Sequence, residues 1–180
     1  MQRSLLWHGL TAARQAAFAA QGKGMAIEVV LALSGLGPRA SRHVAKALPV
    51  DRLVAQGTGS LGLRLQRQVI RAQREGIQRL LLLGTDLPQV GAEDLLAAFE
   101  ALNRNALVLG PACDGGYWLV GLCPQRPAPR LFAGAHGPIP WGSSMVLART
   151  LEAAAAEGLA PALLQDQGDL DRVQDLRPWR

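Results

Sequence analysis

Asp86 closes the stretch Arg79–Pro88, RLLLLGTDLP, in which four consecutive leucines stop at a carboxylate set between Gly84 and Pro88. Four apolar residues in a row read as a strand covered on both faces, as in the middle of a parallel sheet. Gly84 lets the chain turn at the strand's end and Pro88 stiffens the exit. Ligands of open α/β sheets gather at the carboxyl ends of strands, so Asp86 stands where chemistry is usually done. The competing reading makes Asp86 a cap for the helix that begins near Ala92. Three further clusters carry polar groups in restrictive settings. Gly110–Leu122, GPACDGGYWLVGL, feeds an acidic two-glycine turn into an apolar strand; Ile139–Ser144, IPWGSS, sets Trp141 just ahead of a helix; Asp169–Leu176, DLDRVQDL, places carboxylates after the last strand. Asp114 can act on a hydroxyl as a base or orient it, or can simply shape a DGG turn between two strands. Trp141 serves equally as a stacking wall or as packing. Asp169 and Asp171 read by themselves as caps of a tail helix. Ser143 reads as the cap of the helix that follows.

The elements that must hold these residues alternate between strand and helix. Helices are expected at Ser4–Ala20, Arg39–Ala47, Leu61–Glu75, Glu93–Asn103 and Ser143–Glu157. Strands are expected at Met25–Leu33, Arg52–Ala55, Arg79–Leu83, Ala106–Leu109, Gly116–Leu122 and Leu159–Leu164. Asp175 falls in a short tail helix ending at Pro178, and Pro124–Pro140 is a Pro- and Gly-rich loop. Such alternation predicts an α/β domain with a mainly parallel sheet and helices on both faces. The chain opens on a helix, whereas doubly wound domains open on a strand whose loop receives nucleotide phosphates. Gly22-Lys23-Gly24 is too short for that loop and reads as a turn.

The 180 residues, 49% hydrophobic with a net charge of +5, are expected to form a single domain over 1–180 with a packed core. No apolar run reaches the ~18–20 residues of a membrane span. The N-terminus has no signal-peptide pattern, so a cytoplasmic location is expected. The basic residues are spaced singly along helix faces (Arg64, Arg67, Arg71, Arg74) without interleaved aromatics, which argues against nucleic acid and leaves phosphates of a small ligand. Cys113 and Cys123 are too few and too far apart for zinc and are expected to be small buried side chains. His8, His43 and His136 form no constellation with a Ser, Cys or carboxylate.

Taken in order, Gly84–Pro88, Gly110–Leu122, Pro140-Trp141 with Ser143-Ser144, and Asp169–Leu176 resemble the small GT-A-type glycosyltransferases linked to arsenosugar biosynthesis, a family long catalogued as a domain of unknown function. The likeness runs from about Leu5 to Leu176, and its specific part is GPACDGGYWLVGL. It implies a Rossmann-like sheet that binds a nucleoside-diphosphate sugar through Mg²⁺ or Mn²⁺ and passes the sugar to a small acceptor. Hard carboxylate oxygens suit such cations. By the resemblance, Asp86 and Asp171 are the metal ligands with Asp169 assisting. Gln56, Gly57, Gly59, Gly62 and Arg64 match the nucleotide-binding segment; an ordinary strand-to-helix loop and a solvated helix face would produce the same residues. Asp114 and Tyr117 match the catalytic positions, and Gly115, Gly116 and Trp141 the acceptor side.

The family's first strand and its basic phosphate loop have no counterpart in the chain, and Arg172 and Val173 replace the usual Thr and Pro. An N-terminally truncated form is therefore expected, with an unpaired central edge that a homodimer could cover. Two other functions fit the same pattern. One is nucleotidyl transfer on this fold, which depends on the basic loop; the other is a non-catalytic remnant that binds a ligand or partner.

Overall fold

The structure, a computed structural model, describes residues 2–35 and 37–168. Helix α1 (Gln2–Gln21) leads into strand β1 (Val30–Leu33), then α2 (Pro38–Ala47), β2 (Arg52–Ala55) and α3 (Leu61–Arg74). Strand β3 (Leu80–Leu83), α4 (Ala92–Ala101), the hairpin β4 (Leu107–Pro111) and β5 (Tyr117–Leu122), α5 (Val146–Ala156) and β6 (Ala162–Leu163) follow. The α/β alternation predicted from the sequence is present.

The sheet is not mainly parallel. β1 and β2 form a parallel pair, while a second sheet has the order β3-β5-β4-β6. In it β5 runs antiparallel to both β3 and β4, and only β4–β6 is parallel. A turn of five residues, Ala112–Gly116, joins β4 to β5, and so short a link can only reverse the chain. β3 is likewise not interior: β5 is its only partner strand among the described residues. Its leucines are half-buried and Leu83 is 38% exposed. The fully covered strands are β4 and β5, where Leu107, Val108, Leu109 and Leu119 are completely buried. The first expected strand shrinks to Val30–Leu33 because β2 offers only four partner residues, Arg52 to Ala55.

Alternation along the strands divides the core into two layers. Val108, Leu119 and Leu81 face α1 and α4 through Ala12, Ala16, Leu95 and Ala98. Leu107, Leu109 and Val120 face the opposite layer, with Leu65 and Val69 of α3 and Leu151 and Ala154 of α5. α1 and α3 also reach the smaller sheet. Arg14 donates to the Pro49 carbonyl (2.8 Å) and grips the Asp51 carboxylate at 2.8 and 2.9 Å, just before β2. Arg71 donates to the Ala55 carbonyl at the end of β2 (3.1 Å). The same two helices thus span both sheets.

Cys123 is half-buried, but Cys113 is exposed, carried outward by the β4–β5 turn rather than packed inside.

Candidate functional site

Backbone register brings the predicted residues to one edge of the larger sheet. Leu83 and Gly110 flank Leu119 from either side, so the segments after β3 and β4 leave the sheet at the same level. Asp86 lies in the first of these segments and Asp114 in the second. The chain after β6 emerges there too, since Ala112 bridges to Gln167.

Asp114 is exposed, and its Oδ1 accepts from the Gly116 N–H (2.8 Å), closing the turn with its own side chain. The second carboxylate oxygen has no hydrogen-bond partner in the turn. Gly115 sits at φ +89°, and a Cβ there would run into the Ser144 backbone, so the 142–145 turn lies directly on the acidic loop. Leu147 N–H donates to the Gly115 carbonyl (2.9 Å), tying the start of α5 to the same place. Ser143 does not cap α5. The helix starts at Val146, and the Ser143 hydroxyl donates instead to the Pro140 carbonyl (2.8 Å) and accepts from Met145 N–H (3.3 Å).

These contacts enclose a cavity of about 160 Å³ bordered by Asp114, Gly116, Tyr117, Trp141, Leu61 and Val146. The Tyr117 and Trp141 rings meet edge to face, 6.4 Å apart at 86°. The Tyr117 hydroxyl is buried and closes no hydrogen bond. Burial pushes its phenol far above the usual tyrosine range, and the nearby Thr150 hydroxyl offsets only part of that. Gly62 abuts this wall: a Cβ there would strike the Phe132 carbonyl and come within 3.0 Å of the Trp141 ring.

Gly57 and Gly59 hold φ of +81° and +102°, which shape the β2–α3 loop. Arg64 turns back onto that loop, donating through Nε to the Gly59 carbonyl (2.9 Å) and through Nη1 to Gln56 Oε1 (3.5 Å). Arg67 also folds onto it and donates to the Thr58 carbonyl.

Asp86 is exposed, with the Thr85 hydroxyl 3.5 Å from its carboxylate. It does not cap α4: Gly91 occupies the cap, and its N–H is taken by Asp94 Oδ2 (2.8 Å). Asp169 and Asp171 lie outside the described residues, as does the predicted tail helix. Among the described residues no group of three or more His, Cys, Asp or Glu could hold a metal ion. No described helix is long and apolar enough to cross a membrane.

Residues 16–143 match the model of a family described as "Uncharacterized protein conserved in bacteria (DUF2064)". The chain belongs to that family. Its matched part holds Asp86, the Asp114–Tyr117 turn, Trp141 and the β2–α3 loop, and stops short of Asp169 and Asp171. The fold is similar to a crystal structure from Desulfovibrio desulfuricans G20, described as a "putative nucleotide-diphospho-sugar transferase". The two share 25% identity at a TM-score of 0.77, over 97% of this chain and 73% of that one. No curated protein matches the DUF2064 chain.

Leu61, Val146 and Thr150, which line or back the cavity, carried no functional signal in the sequence, whereas Arg67 stood among the helix-face arginines left for phosphates of a small ligand.

Proposed function

We propose that this chain is a transferase domain that passes a glycosyl group from a nucleoside-diphosphate sugar to a small acceptor. The observation that carries the reading is the cavity in which Asp114 meets Trp141, Tyr117 and Gly116. Its volume suits a single ring or short polyol, and an aromatic wall beside a carboxylate suits a molecule with C–H faces and hydroxyls. The Desulfovibrio neighbour supports the donor class. In the reaction, an acceptor oxygen bonds to the anomeric carbon as the bond to the diphosphate breaks, and the diphosphate leaves with the electron pair. Asp114 takes the acceptor's proton or orients the hydroxyl, using the carboxylate oxygen the turn leaves over. Tyr117 and Trp141 fix the acceptor's position. Gln56, Gly57, Gly59, Gly62 and Arg64 line the nucleotide side, with Gly62 acting through the close approach of α3 to Trp141.

Mg²⁺ or Mn²⁺ belongs to the same reading, held by Asp86 and Asp171 with Asp169 assisting. Asp86 fits the part: it is a hard, exposed carboxylate at a strand end with no cap to make. When bound, the cation would neutralise charge on the diphosphate.

Asp114→Asn tests the central role. Asn keeps an oxygen for the Gly116 N–H, so the turn survives while the base is lost. Turnover should fall about a hundredfold or more at unchanged thermal stability. An undiminished rate removes Asp114 from the chemistry. In parallel, Asp86→Ala should abolish Mn²⁺-dependent binding of a nucleoside diphosphate, and unaltered binding would clear Asp86 of a ligand's role.

A further inference from the structure

The geometry points to an anion seat formed by Arg64 and Arg67 on the β2–α3 loop, shaped for a diphosphate and sharing a wall with the Asp114 cavity. The assignment of its ligand to the donor's diphosphate rests on the transferase reading; the seat itself does not. Both guanidinium groups converge on Gly59. Arg64 Nε lies 2.9 Å from the Gly59 carbonyl, and Arg67 Nη2 lies 3.8 Å from the position a Cβ on Gly59 would take. Arg67 lies flat along Gly57, where a Cβ would come within 2.7 Å of Nη1. The φ of +81° at Gly57 calls for glycine, and an added Cβ there would displace the end of the Arg67 side chain from the loop.

The partners of these arginines are neutral. Arg64 engages a carbonyl and an amide oxygen, and Arg67 a carbonyl. The ion pairs among the described residues use Arg14, Arg52 and Arg149 and leave Arg64 and Arg67 without a carboxylate. Two full positive charges are therefore turned onto the same loop, with most of their N–H donors unused. The loop carbonyls hold each fork in place before any ligand arrives, so little side-chain freedom is lost on binding. A planar fork of N–H groups matches phosphate oxygens two at a time, which a scattered surface lysine cannot do.

Position gives the seat its meaning. Ser60 caps α3, accepting from Leu63 N–H (3.4 Å), and the next residue, Leu61, already borders the Asp114 cavity. The β2–α3 loop that Arg64 and Arg67 grip thus runs directly into a residue of the cavity lining. Arg74, in the last turn of α3, is exposed and stands at the opposite end of the helix from the loop, which makes it the natural control.

Titration of inorganic pyrophosphate into the full chain, with EDTA present and no sugar or acceptor, tests the seat by calorimetry. Arg64→Gln and Arg67→Gln should each weaken binding by about tenfold, and Arg74→Gln should leave it unchanged. Arg67→Lys, which keeps the charge and loses the fork, should fall between. Equal weakening by all three glutamine variants, or no binding to the unaltered chain at millimolar pyrophosphate, overturns the seat. Should a glutamine variant fail to fold, the ¹⁵Nε resonances of the unaltered chain decide. Those of Arg64 and Arg67 should move with pyrophosphate while that of Arg74 stays, and the reverse pattern overturns it. Pyrophosphate binding without sugar transfer would defeat the transferase reading and leave the seat standing. Sugar transfer with pyrophosphate affinity indifferent to Arg67→Gln would do the opposite.

Discussion

Asp114 and Tyr117 sit three residues apart and have opposite relations to water. Asp114 is exposed and hydrogen-bonded to its own turn. Tyr117 presents its ring to the cavity and buries its hydroxyl against Thr150, where neither oxygen closes a hydrogen bond. A buried hydroxyl without a partner costs stability rather than adding it. Tyr117→Phe should therefore leave stability within about 1 kcal/mol of the parent, or raise it slightly, in urea unfolding. The aromatic wall survives in that variant, so turnover should persist if the ring rather than the phenol does the positioning. A collapse of turnover at full stability would show that the phenol itself takes part.

At the scale of elements, the site depends on two close approaches that only glycine permits. The 142–145 turn presses on Gly115, and α3 presses its Gly62 onto Trp141 and Phe132. Gly115→Ala combines a strained φ of +89° with a backbone collision and should cost about 2–4 kcal/mol, read as a lower urea midpoint at an unchanged slope. The tie from α1 to β2 is electrostatic. Hydrogen bonds from Arg14 and then from the Val29 N–H hold the Asp51 carboxyl below its ordinary 3.8. A carboxylate lowered in the folded state stabilises fully above that ordinary value, and the contribution fades as pH falls through the folded one. Melting temperature should drop below about pH 4, and Asp51→Asn should flatten that drop; an unchanged acid slope would mean the tie carries no stability.

The sequence made these elements legible in order and type, because each helix had its own amphipathic period and each strand a short apolar run. Strand partners were another matter. Four leucines announce burial without naming the neighbour that provides it, so β3 read as interior and lies instead at an edge. The DGG turn did carry the antiparallel sense of β5, since a link that short reverses the chain. In the candidate site, Asp114, Gly116, Tyr117 and Trp141, singled out through the family resemblance, border one cavity. Leu61 and Val146 were not legible, because ordinary helix-start residues become a cavity wall only through tertiary packing.

For the molecule as a whole, the division into two separate sheets is the feature with the widest consequences. β4 and β5 have neighbours on both sides, whereas β1, β2, β3 and β6 each have one among the described residues. Half the backbone groups of such an edge strand point away from any partner, and apolar side chains such as Leu83 and Val30 stay partly exposed with them. Native-state hydrogen exchange should report this directly. Amides of β4 and β5 should exchange at the slow, global limit, and alternate amides of β1 and β3 should be lost within minutes. Uniform protection along β3 would mean that its free edge is covered by a second copy of the chain, and the mass of the species in solution would show it.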